Sequence, residues 1–172
     1  MWPFKGRAPD HRRKLEAAGA EWRPHKSATE KFSAMFPGEV NRRFSGGFGG
    51  SADDGQSPGT AVYSCEVPGA LYQVSVTRVR QYFGSAEEFL QTVLDEMAQG
   101  LIDGILIQNQ KAPFEGCPAT SFEMRFLKGH SLSILGVAAL YRNTVYVVST
   151  AFPVDTINHF ARFRDGFAID RE

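Results

Sequence analysis

Apolar side chains recur along this chain at two different periods, and the change of period marks its elements. Phe89, Leu90, Val93, Leu94, Met97 and Leu101 return at steps of three and four, the spacing of one helical face. Ser85 and Glu88 stand before that stripe as an S-x-x-E capping box, so a helix is predicted from Ser85, weakened at Gly100 and ended at Asp103-Gly104. Elsewhere the step is two. Phe32, Ala34 and Phe36 alternate with Ser33 and Met35 over Lys31–Pro37, and Tyr72, Val74 and Val76 alternate with Gln73, Ser75 and Thr77, which predicts strands half in water. The strand carrying Tyr72 spans Leu71–Arg80 and follows another over Ala61–Val67 across Pro68-Gly69.

The second half reads as an antiparallel meander of Ile105–Lys111, Ala119–Leu127, Ser131–Tyr141 and Thr144–Phe152. Its breaks are Pro113 to Pro118, Lys128-Gly129 and Arg142-Asn143, the last two being hairpin turns. A closing helix is expected after a cap at Asp155, carrying Ile157, Phe160, Ala161 and Phe163 and terminated by Gly166, with Phe167-Ala168-Ile169 packing back. Near the amino terminus, Asp10 is placed to cap a short helix over His11–Ala20.

Two meander strands break the alternation rule. Leu132, Ile134, Ala138 and Leu140 face one way and Leu135, Val137, Ala139 and Tyr141 the other, while Val145, Val147 and Ala151 oppose Tyr146, Val148 and Phe152. A sheet with one wet face would alternate, so both faces here need a cover. If the two helices cover only one side, then Leu135, Val137, Tyr141, Tyr146, Val148 and Phe152 form an apolar partner-binding face, since large exposed apolar patches mark interaction sites.

Length and charge narrow the picture. The 172 residues, 42% hydrophobic, suffice for one core, expected over residues 31–169 behind a basic leader, residues 1–30, with its short helix. Residues 1–43 carry 10 of the 19 Lys and Arg but 5 of the 19 Asp and Glu, a balance of +5 against −5 for the rest. The body has no basic stripe interleaved with aromatics, so nucleic acid is not an expected partner. No apolar run reaches the roughly 18 residues of a membrane span, and the start, Met1-Trp2-Pro3-Phe4-Lys5, lacks a signal-peptide core; a cytoplasmic protein is expected. Six glycines between Ser45 and Thr60 make a long loop, expected to be mobile, without the Lys-Ser/Thr and following helix of a phosphate cradle.

Candidate chemistry is thin. Cys65 and Cys117 are too far apart for a CxxC motif and are expected as free thiols. Cys117 would need a base to become a nucleophile, and His130, in the Lys128-Gly129-His130 turn, would serve only by folding proximity. His11, His25 and His159 have no second ligand at zinc spacing, and Glu87-Glu88 and Asp95-Glu96 fit a capping turn and a solvated helix face. No catalytic, cofactor or metal site is expected.

The order of elements resembles the PsbP-like fold, shared by the extrinsic photosystem II protein, a small Ran-binding protein and many bacterial proteins of unassigned role. The resemblance covers about Lys31 to Ile169. Its carriers are Phe32-Ser33-Ala34-Met35-Phe36-Pro37-Gly38, the helix from Ser85, Glu115-Gly116-Cys117-Pro118-Ala119, Tyr141-Arg142-Asn143-Thr144-Val145-Tyr146 and Phe160-Ala161-Arg162-Phe163. It implies an α+β fold, a central antiparallel sheet flanked by helices as an α/β/α sandwich, in proteins that stabilise or chaperone assemblies. It supplies no family-wide ligand residues. Photosystem and periplasmic members carry export or transit signals that the sequence does not show. The function expected is a non-enzymatic protein-binding or assembly module, its sheet or sheet edge holding an unidentified protein partner. The alternatives are a cytosolic chaperone for a hydrophobic effector segment, resembling type VI secretion adaptors, and a small-ligand carrier or enzyme using a cavity between sheet and helix. An uncovered apolar sheet face would favour the chaperone, and a closed pocket with converging polar groups the carrier.

Overall fold

The computed structural model describes residues 21–45, 59–101, 104–126 and 131–172. The helix expected over His11–Ala20, most of the glycine-rich stretch and His130 lie outside these residues. Ten strands and two helices follow in the order β1 (Arg23–Ser27), β2 (Phe32–Phe36), β3 (Asn41–Ser45), β4 (Thr60–Val67), β5 (Ala70–Arg78), α1 (Ala86–Gly100), β6 (Gly104–Lys111), β7 (Ala119–Phe126), β8 (Leu132–Tyr141), β9 (Thr144–Pro153), α2 (Phe160–Asp165) and β10 (Ala168–Ile169).

Seven strands form one sheet in the order β3-β4-β5-β9-β8-β7-β6, every neighbour antiparallel. The expected strands all form, and the turns behave as their residues dictate. Val67 pairs with Ala70 across Pro68-Gly69, where Gly69 takes φ +84°, and Tyr141 pairs with Thr144 across Arg142-Asn143. Ser45 pairs with Thr60, so the glycine-rich stretch begins and ends on one hairpin.

Helix α1 starts as its sequence requires. Ser85 Oγ accepts the Glu88 amide at 3.2 Å, and a Glu88 carboxylate oxygen accepts the Ser85 amide at 2.9 Å. Leu90, Val93 and Leu94 are buried against Phe122, Met124, Ile134, Ala138, Leu140, Val145, Val147 and Ala151. This layer lies over β6, β7 and β8.

The opposite face of the sheet has a cover that the sequence pattern does not disclose. Strands β1, β2 and β10 form a separate small sheet, with β2 in the middle. Phe32, Ala34 and Phe36 of β2, with Phe163 of α2 and Phe167, bury Tyr63, Tyr72, Val74, Val137, Tyr146, Val148 and Phe152. Rings meet edge to face at 5.1 Å for Phe36 and Phe163 and 4.9 Å for Phe32 and Tyr63, a geometry that adds to simple burial.

The structure thus corrects three expectations. The fold is sheet-dominated, one face under a helix and the other under a small sheet with one short helix, and not a sheet between two helical layers. The folded unit also begins before Lys31, because Trp22 is buried and β1 pairs with β2 inside the segment read as a leader. Finally, Asp155 sits in a turn at φ +66° and caps nothing; α2 starts later, and Asn158 Oδ1 accepts the Phe160 amide at 3.1 Å.

The two covers are offset. The α1 cluster draws on β5 through β9 and on Leu106 of β6 but on nothing from β3 or β4, whereas the small-sheet cluster reaches β4 and takes nothing from β6. Among the described residues, each face therefore keeps one corner without an apolar cover. Beside β3 on the α1 side it carries the half-buried Val62, Gln73 and Ser75, with Ser64 and Ser149 buried between them.

Candidate functional site

The six residues expected to form an apolar partner face do come together, but inside the molecule. Val137, Tyr146, Val148 and Phe152 are buried in the cluster under the small sheet, and Leu135 and Tyr141 pack against it half-buried. The condition under which they would be presented, a cover on one side only, is not met. The β1-β2-β10 sheet supplies the second cover, with aromatic rings large enough to fill the layer.

Among the described residues the cysteines and histidines do not assemble either. Cys65 is buried in the same cluster, and burial pushes its thiol above the ordinary value, away from thiolate chemistry. Cys117 donates to the Glu115 carbonyl at 3.6 Å, and Arg171 lies 3.7 Å from its sulfur. The His25 ring lies tilted to Tyr63 and edge-on to Phe36, at 5.3 and 6.0 Å between ring centres, and burial lowers its pKa. Among the described residues no three His, Cys, Asp or Glu side chains are grouped to hold a metal ion. An open cleft of about 260 Å³ between α1 and the end of β5 is lined by Thr77, Val79, Gln81, Phe89, Thr92 and Glu96. It is smaller than the roughly 300–1,000 Å³ of typical ligand pockets.

The convergence of polar groups lies elsewhere, at one edge of the sandwich. The turn between β1 and β2 drops Glu30 into the gap between the two sheets, leaving it 7% exposed. Its carboxylate oxygens lie 3.4 Å from Arg42 Nη2 and 3.7 Å from Arg78 Nη2. Its amide donates to Ser27 Oγ at 3.2 Å, and its carbonyl accepts the Tyr146 hydroxyl at 2.9 Å. Arg42 Nε donates to the Tyr63 hydroxyl at 2.9 Å, which shares a 2.8 Å hydrogen bond with Ser27, and Arg78 donates to the Thr29 carbonyl at 2.8 Å. A buried carboxylate needs such partners, because an unpaired charge in the interior costs several kcal/mol, on the order of 3–5. Burial and the neighbouring Glu30 charge together push the Tyr146 phenol up to about 12.

The outward side of this cluster is open. Arg42 and Arg78 are 43% and 61% exposed, and the Arg42 guanidinium lies 4.3 Å from the ring centre of Phe44, itself 65% exposed. Both Arg42 and Phe44 belong to β3, the end strand of the large sheet, all five of whose residues are exposed. Register puts Arg42 beside Tyr63 and Arg43 beside Val62, so the two arginines point to opposite faces. Among the described residues no strand pairs with the outer edge of β3. The other end strand, β6, has a register shift between Leu106 and Gln108, a bulge of the kind that discourages edge pairing, whereas β3 is in register throughout.

Local pattern gave no warning of this site. Neither β1, Arg-Pro-His-Lys-Ser, nor β3, Asn-Arg-Arg-Phe-Ser, alternates apolar and polar residues, and Glu30 and Tyr146 are 116 residues apart. The one signal available was the basic pair Arg42-Arg43 next to an isolated phenylalanine.

No known family model and no curated protein matches the chain. Solved structures do match. The solution structure of cyanobacterial PsbP (CyanoP) from Synechocystis sp. PCC 6803 aligns over 87% of this chain and 93% of its own, with a TM-score of 0.59 at 17% identity. The crystal structure of the Saccharomyces cerevisiae Ran-binding protein Mog1p aligns over 87% and 96%, with a TM-score of 0.52 at 10% identity. At these identities the likeness is one of architecture, and the chain has the PsbP-like fold.

Proposed function

We propose that this chain is a non-enzymatic protein-binding module that holds its partner along the open β3 edge, beside the Glu30 cluster. The observation that carries the reading is the in-register β3, exposed at all five residues, with Arg42 held over Phe44 by Tyr63 of β4 and Glu30 of the β1–β2 turn. An open edge offers a row of backbone donors and acceptors, and side chains fixed beside it select what pairs there. Ran binding by Mog1p, a protein of the same fold, agrees with a binding role. We place the module in the cytoplasm as part of this proposal; no helix among the described residues is long and apolar enough to cross a membrane.

The rivals fare less well on their own criteria. A chaperone for hydrophobic segments needs an uncovered apolar sheet face, and among the described residues the α1-side corner beside β3 shows only the half-buried Val62, Gln73 and Ser75. A small-ligand carrier needs a closed pocket, and the cleft beside α1 is open.

Photo-crosslinking from three positions tests the reading. A crosslinking residue at Arg43 on β3 should capture a defined protein that the same residue at Ser75, on the sheet corner, or at Ile107, on β6, does not. Capture through Ser75 or Ile107 alone, or a reproducible enzymatic turnover lost on a single substitution, would overturn it.

A further inference from the structure

Resting on that reading, we infer that the segment accepted by β3 is an extended acidic peptide, added to the sheet as an eighth strand. Two guanidinium groups, those of Arg42 and Arg78, flank one buried carboxylate, Glu30, and Arg43 projects from the other face of β3, so among the described residues this end of the sheet keeps a positive excess. Arg42 already shows how the site treats a carboxylate. Its planar fork is fixed by Tyr63 and by the Phe44 ring and faces Glu30, and a guanidinium so held loses little freedom when a second carboxylate arrives.

Strand addition follows from the edge itself. A partner strand alongside Asn41–Ser45 would set its side chains about 4.5–5.5 Å from those of β3, close enough for its acidic groups to face Arg42 on one side and Arg43 on the other. A second copy of β3 is a poor occupant, because antiparallel pairing of Asn-Arg-Arg-Phe-Ser with itself brings arginine against arginine. The chain's own acidic groups at Glu87, Glu88, Asp95 and Glu96 lie on the helix α1 and present no extended strand.

The probe is an acetylated eight-residue peptide of alternating Glu-Glu and Val-Val pairs, which puts acidic groups on both faces of an extended strand, labelled with fluorescein and titrated into the full chain by anisotropy. Its counterpart with Lys in place of every Glu should not bind, and the same acidic peptide with alternate amides methylated should bind at least about tenfold more weakly. Arg43→Gln should weaken the acidic peptide about threefold and Arg43→Glu about tenfold, the scale of cross-strand charge pairs, with folding checked by circular dichroism. Amides of residues 41–45 should exchange more slowly in the complex. Equal binding of the acidic and basic peptides, indifference to amide methylation, or no effect of Arg43→Glu would overturn the inference. So would Arg43-dependent binding of RNA or anionic vesicles in place of the peptide, or self-association through β3. Failure here with crosslinking through Arg43 intact would leave the binding-module reading standing and remove only the acidic strand.

Discussion

Gly136 lies on β8 directly opposite Phe122 of β7, and the ring of Phe122 occupies the space a side chain at position 136 would fill. A methyl group built there would stand 2.2, 2.6 and 2.8 Å from three ring carbons. Ordinary carbon contacts are about 3.5–4.0 Å, so in Gly136→Ala the ring has to retreat by roughly 1.3 Å or more. The retreat is toward the layer held by Leu90 and Leu94, both fully buried, where no slack is expected. Overpacking of this kind costs about 1–3 kcal/mol, and replacing a strand glycine returns about 0.5–1 kcal/mol through backbone entropy. A net loss of about 1–2 kcal/mol is predicted by equilibrium urea unfolding with an unchanged m-value. Phe122→Leu should then cost at least about 1 kcal/mol less in the Gly136→Ala background than alone, within the range of coupling between touching residues. A change below about 0.5 kcal/mol, the size of a surface effect, with no coupling to Phe122 would show that the ring does not rest on the glycine as described.

Val148→Asp, at a position with no exposed surface, should lose more than about 4 kcal/mol and register as loss of native circular dichroism, so that an unchanged fold would return the meander face to consideration as an interface. Ser85→Ala removes the acceptor for the Glu88 amide and should cost about 1 kcal/mol in urea; no loss would mean the capping box is idle. Tyr146 has a pKa raised from 10.0 to about 12 in the fold, so the unfolded chain gives up its phenolic proton first. Its contribution is complete below about pH 10 and disappears as pH rises towards 12, at most about 3 kcal/mol. Tyr146→Phe should flatten that part of the stability curve, and identical alkaline losses in the two proteins would contradict the assignment.

Helix α1 was legible because its signals are local. Ser85 and Glu88 cap within one turn, and Leu90, Val93 and Leu94 repeat at the helical period. Strands β8 and β9 were equally plain, and their doubly apolar character correctly demanded two covers. What would cover the second face was not legible. Strand β1 is mostly exposed and buries only Ser27, with Trp22 just before it, β10 has two residues, and α2 buries only Phe163, so none carries a periodic signal of its own. Taking residues 1–30 as a leader removed β1 from the domain and left the meander face without its lid. The Glu30 cluster was beyond reach for a related reason: Ser27, Glu30, Arg42, Tyr63, Arg78 and Tyr146 each look like an ordinary turn, edge or strand residue until topology joins them.

Amide hydrogen exchange on the complex with a captured partner tests the central claim most directly. If β3 is the edge that receives the partner, residues 41–45 should exchange at least about tenfold more slowly in the complex, while 132–153, internal with or without a partner, should not change. Unaltered exchange over 41–45, with new protection confined to α1, to β6 or to the cleft between α1 and β5, would contradict it.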